Sequence, residues 1–162
     1  MTTNTSTITV HTDGACKGNP GPGAWAVIIE DEHKRLLLAD RVPQTTNQRM
    51  ELTAAVKALE ALKKHTGRPI RLVTDSQLLV KGMTEWLEGW KNDGWRRSKG
   101  KPVENRDLWE KLDVLSREHM ISWEWVKGHN GHPGNEEADT LANRSLVEGY
   151  IYERVVLDVL AA

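Results

Sequence analysis

Four acidic residues stand where a carboxylate is locally awkward. Asp13 closes a short alternating stretch, and Glu51 lies beside the apolar stripe of a helix, in its first turns. Asp75 follows a short apolar run, and Asp139 falls in the first turn or two of the last helix. Strand ends and helix starts are where α/β folds place chemistry. Four carboxylates from four elements, if brought together, would repel unless a cation joined them. An all-oxygen ligand set suits Mg²⁺ or Mn²⁺ better than zinc. Each acid also has an ordinary explanation. Asp13-Gly14 is a common turn dipeptide, and Glu51 complements a helix dipole. Asp75 can serve as a cap, and Asp139 is one of several acids opening a helix. Spacing alone leaves their convergence open.

The elements that must position these residues are legible from periodicity. Thr7 to Asp13 alternates, with Ile8 and Val10 on one face and Thr9, His11 and Asp13 on the other. A Gly/Pro loop, 14–23, follows. Strands are predicted over 24–29 and 35–42, joined by a charged turn, which makes an antiparallel meander of three. From Asn47 to Lys64 the period becomes helical, with Leu52, Ala55, Leu59 and Leu62 on one face, and Gly67 and Pro69 end the run. Ile70 to Thr74 reads as a strand and Ser76 opens a second helix, capped by Asp75 or Ser76. Residues 107–118 are predicted helical, 121–126 a strand, 128–135 a loop and 136–147 a helix. The predicted architecture is α/β, a mixed sheet with helices on its faces. One domain is expected over 7–149, between a polar leader (1–6) and a tail (150–162) that is apolar enough to dock.

Bulk properties exclude classes without naming a function. The 162 residues suffice for one domain with its own core. A net charge of −1 rules out a polycation, so any nucleic-acid contact must rest on a local patch. The single cysteine, Cys16, rules out a disulfide framework and points to a reducing, cytoplasmic setting. No apolar run reaches the ~20 residues of a membrane span, and the leader carries no signal-peptide pattern. A monomer is expected.

The patch itself is visible. Between Trp90 and Arg106, Lys91, Arg96, Arg97, Lys99, Lys101 and Arg106 face only Asp93 and Glu104, so the remainder of the chain is acidic. This asymmetry suits a nucleic-acid handle, although charge runs are usually solvated faces. Trp86, Trp90 and Trp95 either pack beneath the segment or stack on sugars. Packing is favoured for Trp86 and Trp90, and Trp86 stays among the substrate-contact candidates.

Five blocks carry a resemblance: Ile-Thr-Val-His-Thr-Asp-Gly-Ala-Cys-Lys-Gly-Asn-Pro-Gly-Pro-Gly (8–23), Thr-Thr-Asn-Gln-Arg-Met-Glu-Leu (45–52), Val-Thr-Asp-Ser-Gln (73–77), Trp-Val-Lys-Gly-His (125–129) and Asn-Glu-Glu-Ala-Asp-Thr-Leu-Ala (135–142). In this order they resemble type 1 ribonucleases H, and the Trp-rich basic segment resembles the protrusion of the bacterial ribonuclease HI branch. His11, where an apolar or aromatic residue is common, departs from that pattern and is expected to be a satisfied core histidine. Asn92-Asp93 dilutes the basic protrusion.

The resemblance implies a five-stranded mixed sheet, strands 1–3 antiparallel, with helices on both faces. It implies an endoribonuclease that cuts the RNA strand of RNA–DNA hybrids with two Mg²⁺ ions, Mn²⁺ substituting, to give 5′-phosphate and 3′-hydroxyl ends. Asp13, Glu51, Asp75 and Asp139 match the metal ligands and His129 the loop histidine. Asn19, Asn47 and Gln77 match contacts to the hybrid, and Thr46 and Asn105 a pocket for a DNA phosphate. Arg96, Arg97, Lys99 and Lys101 are candidates for backbone contacts. A histidine between Gly128 and Gly131 suits proton transfer at the leaving group or product release. The 18–23 loop offers backbone amides to a phosphate, and Asn19 an amide to a ribose 2′-OH. Two other readings remain: a DNA-cutting nuclease of the same superfamily, and a noncatalytic hybrid-binding module.

Overall fold

The computed structural model describes residues 6–157. The expected leader, except Ser6, and the last five residues of the tail lie outside them. Six strands form one mixed sheet in the order β5-β4-β1-β2-β3-β6: β1 (Ile8–Cys16), β2 (Gly21–Glu30), β3 (Lys34–Thr45), β4 (Ile70–Thr74), β5 (Ile121–Trp125) and β6 (Ile151–Val156). β1, β2 and β3 pair antiparallel as expected, and β4 and β5 join parallel to β1 and to each other. The sheet has six strands where five were expected. The sixth is the start of the tail, which pairs antiparallel with β3 from Ala39↔Ile151 to Lys34↔Val156.

Alternation divides the sheet into two faces. Ile8 and Val10 of β1, Trp25, Val27 and Ile29 of β2, and Ile70 and Leu72 of β4 pack under helix α1 (Asn47–Ala61) and helix α4 (Arg106–Ser116). The predicted stripe of α1, Leu52, Ala55 and Leu59 with Leu62 just beyond, is buried throughout. Each buried leucine contributes roughly 1.5–3 kcal/mol. On the other face Ala26, Ile28 and Ala39 meet Ala138, Leu141 and Ala142 of helix α5 (Pro133–Glu148), with Ile151 closing the edge. Small residues there let α5 lie close to the sheet.

Between these elements run two short helices, α2 (Gln77–Lys81) and α3 (Leu87–Asn92), joined by a wider π-helical turn over Gly82–Trp86. Gly82 is buried, and a Cβ there would stand 2.1 Å from the Trp109 ring, so α4 can close on this turn only because the side chain is absent. Among the described residues no helix is long and apolar enough to cross a membrane.

Candidate functional site

The turn expected at Asp13-Gly14 is absent. β1 continues to Cys16, with Gly14 opposite Trp25 and Cys16 opposite Gly23. On its other side the parallel ladder with β4 stops at Thr12↔Thr74. Asp13 and Asp75 are therefore the first residues past the end of the same ladder, side by side where the chain opens. Gly14 serves the approach of α1: a Cβ there would lie 2.6 Å from the Glu51 backbone nitrogen. That closeness lowers the first turns of α1 onto the strand and sets Glu51 beside Asp13. Ser76, not Asp75, caps α2, its hydroxyl accepting from the Leu79 amide at 3.1 Å. The Asp75 carboxylate is left free of that duty.

Asp13, Glu51 and Asp75 each offer an oxygen, all within 4.8 Å of one another. Asp13 and Glu51 are almost fully buried, 3% and 6% exposed, so their charges lose the screening of water. Glu51 Oε2 is buried with no hydrogen-bond partner. Burial first, and then the Asp75 charge, push the Asp13 carboxyl up to about 8. Burial and the neighbouring Asp13 and Asp75 raise Glu51 too. Asp139, from the second turn of α5, and His129 line the same cleft with Asn47 and Gln77. Crowded acids with an orphaned buried oxygen suit a divalent cation, which would remove the repulsion.

His129 is exposed, with φ 54°, in the loop before α5. Gly128 packs so closely on Asp75 that a Cβ would lie 2.7 Å from Oδ2, which ties the loop to the acids. His132 stands apart from the cleft and caps α5, Nδ1 accepting from the Asn135 amide. His11 lies under α5 against Gly134. It is buried as expected, but its Nδ1 has no partner, so it is not the fully satisfied core histidine anticipated. Burial lowers its pKa.

The substrate-contact candidates fall around this cleft. Asn19, Thr46, Asn47 and Asn105 line an adjoining hollow, where the Asn47 backbone N–H donates to Asn19 Oδ1 at 2.8 Å. Trp86, Arg97 and Asn105 line a third. Trp86 is 39% exposed and leans on Trp90, so it only partly packs, whereas Trp90 packs edge-on against buried Trp109. Arg96, Lys99 and Lys101 are exposed on the protrusion and line none of these hollows. Sequence reasoning missed Gln48, which borders all three. Its one signal was its place next to Asn47 at the start of α1.

A family model described as RNase H matches residues 5–146. A ribonuclease H of Maricaulis maris is 55% identical over 88% of this chain and 95% of its own length. The crystal structure of LC9-RNase H1, described as a type 1 RNase H with the type 2 active-site motif, superposes with a TM-score of 0.80 at 32% identity, covering 94% of this chain and 80% of that one. LC11-RNase H1, solved in complex with an RNA/DNA hybrid, shares the fold at 24% identity, with a TM-score of 0.67 over 87% of this chain and 97% of that one. The chain belongs to the ribonuclease H family.

Proposed function

We propose that the carboxylate cleft hydrolyses the RNA strand of RNA–DNA hybrids by a two-metal-ion mechanism, leaving 5′-phosphate and 3′-hydroxyl ends. The observation that carries this reading is the acidic trio Asp13, Glu51 and Asp75, the first two buried and all with oxygens within 4.8 Å, opening beside a hollow lined by Asn19, Thr46, Asn47 and Asn105. Asp13, Glu51, Asp75 and Asp139 would hold Mg²⁺, with Mn²⁺ as a substitute, Asp13 being central. Such cations supply an acidified water and neutralise charge on the scissile phosphate and the departing 3′ oxygen.

The chain's own groups do the rest. Asn19, Asn47 and Gln77 orient the hybrid and read its sugars, a 2′-OH being what marks RNA. His129, exposed on its loop, delivers a proton to the departing oxygen or eases product release. Trp86 offers a sugar-stacking face, and Arg96, Arg97, Lys99 and Lys101 hold the backbone. The lone free cysteine supports a reducing, cytoplasmic setting, and the protein would act as a monomer.

The test is cleavage of matched, end-labelled RNA–DNA, DNA–DNA and RNA–RNA duplexes with Mg²⁺, with Mn²⁺ and with EDTA, followed by analysis of the product ends. Metal-dependent cutting confined to the RNA of the hybrid is expected. Equal cutting of duplex DNA would make this a DNA nuclease of the same superfamily. Hybrid binding without cutting under either metal would make it a binding module.

A further inference from the structure

The hollow beside the catalytic cleft contains a residue that bonds both of its candidate phosphate-binding groups, one through its backbone and the other through its side chain. Arg49, in the first turn of α1, donates its backbone N–H to Thr46 Oγ1 at 3.2 Å, the bond by which Thr46 caps the helix. Its guanidinium Nη1 donates to Asn105 Oδ1 at 3.0 Å. The other side of the fork is closed by Asp107, which accepts from Nη1 at 3.1 Å and from Nη2 at 2.9 Å. Asn105 is the N-cap of α4 in a left-handed conformation (φ 59°, ψ 31°), yet its side chain makes no capping bond. A capping side chain ordinarily stabilises a helix; here the amide is turned to Arg49 instead.

The polarity of these bonds has a consequence. Thr46 and Asn105 both give up an acceptor oxygen to Arg49. With its Oδ1 engaged by Arg49, Asn105 keeps its NH₂ group to donate, and Thr46 keeps its hydroxyl proton. Donors at these two positions suit a phosphate, with Glu104 the one acidic side chain on the same lining. The amide of an asparagine left to itself has two orientations, and only one of them presents its donors.

We infer that Arg49, anchored by Asp107, is a positioning residue whose guanidinium sets the Asn105 amide as a donor toward a backbone phosphate of the substrate. The inference rests on the hybrid-cleavage reading above. Arg49 thereby differs from a direct phosphate ligand: its charge is spent on Asp107, whose carboxyl it holds below the usual range. Asp107 is outside the residues lining the hollow, and its carboxylate is bonded to Arg49.

The experiment compares wild type with Arg49→Met, Asn105→Ala, the double variant and Asp107→Asn. It reads hybrid binding by fluorescence anisotropy in EDTA, KM and kcat with Mg²⁺, and urea unfolding to confirm that each variant is folded. Loss of one charge-assisted hydrogen bond predicts that Arg49→Met and Asn105→Ala each weaken binding about tenfold. The double variant should be no weaker than either single one, because both remove the same donor. Asp107→Asn should raise Kd and KM severalfold with kcat nearly unchanged. Additive losses in the double variant, or an Asp107→Asn protein that binds as tightly as wild type or tighter, would overturn the inference, since a released guanidinium that grips phosphate itself gains from losing Asp107. Failure of wild type to cleave, with binding still dependent on Asp107, would overturn the cleavage reading and leave this one standing.

Discussion

Replacing Asp13 by asparagine removes the titrating carboxyl of Asp13 from the acidic trio with little change in shape. In the folded protein, burial and then the Asp75 charge move this carboxyl from 3.8 to about 8. Between those values the folded site keeps a proton that the unfolded chain has released. Stability linked to this group is therefore greatest below about pH 4, falls as pH rises, and reaches its floor above about pH 8. At about 1.36 kcal/mol for each tenfold change in proton concentration, the penalty at pH 7 has a ceiling of about 4 kcal/mol. Asparagine escapes that penalty but must bury an amide, which costs about 1–3 kcal/mol where partners are lacking. The expected net gain for Asp13→Asn is about 1–2 kcal/mol at pH 7 in EDTA, disappearing or reversing at pH 4. Mg²⁺ should shrink it, because a cation held more tightly by the folded wild type stabilises that protein selectively. Urea unfolding of both proteins at pH 4, 7 and 9 in EDTA, then at pH 7 with Mg²⁺, measures each step. A mutant no more stable than wild type at pH 7 and 9 without metal would refute the electrostatic reasoning.

Two further outcomes are expected. His129→Ala should slow turnover about 10²-fold without abolishing it, the lower end of what general acid–base help contributes; a wild-type pH–rate profile would make His129 a bystander. Neutralising Arg96, Arg97, Lys99 and Lys101 together should flatten the salt dependence of hybrid binding by about 0.7–0.9 in log–log slope for each phosphate that is no longer neutralised. An unchanged slope would mean that the protrusion points away from the substrate.

What the sequence disclosed and what it hid follow from the range of the forces involved. The α1 stripe and the Ser76 cap are local, set by a 3.6-residue period and one hydroxyl, and both are found where read. The pairing of Asp13 with Asp75 depends on where the β1–β4 ladder stops, a non-local register that no spacing along the chain encodes. Gly14 misled because glycine signals a turn more often than a close approach, and here the missing Cβ admits a helix. Ile151 to Val156 offered no clean alternation because it is an edge strand, with charged Glu153 and Arg154 beside apolar residues exposed on its outer side. Gln48 carries no chemistry that its type announces, and only the meeting of three hollows marks it.

The edge strand also bears on how the sheet is closed off beyond β3. β3 contains Leu36, Leu37 and Leu38 in succession, packed partly against both cores. Without β6, its outer backbone amides and carbonyls would form an open, apolar rim, a template on which a second copy could add a strand. β6 occupies that rim with a shorter strand that sets Glu153 and Arg154 among exposed Tyr152, Val155 and Val156, Glu153 being held by Arg144 of α5 at 2.8 Å. Colloidal behaviour is thus entrusted to residues far from the carboxylates. A version shortened at Gly149 would be expected to aggregate while its catalytic groups were still intact.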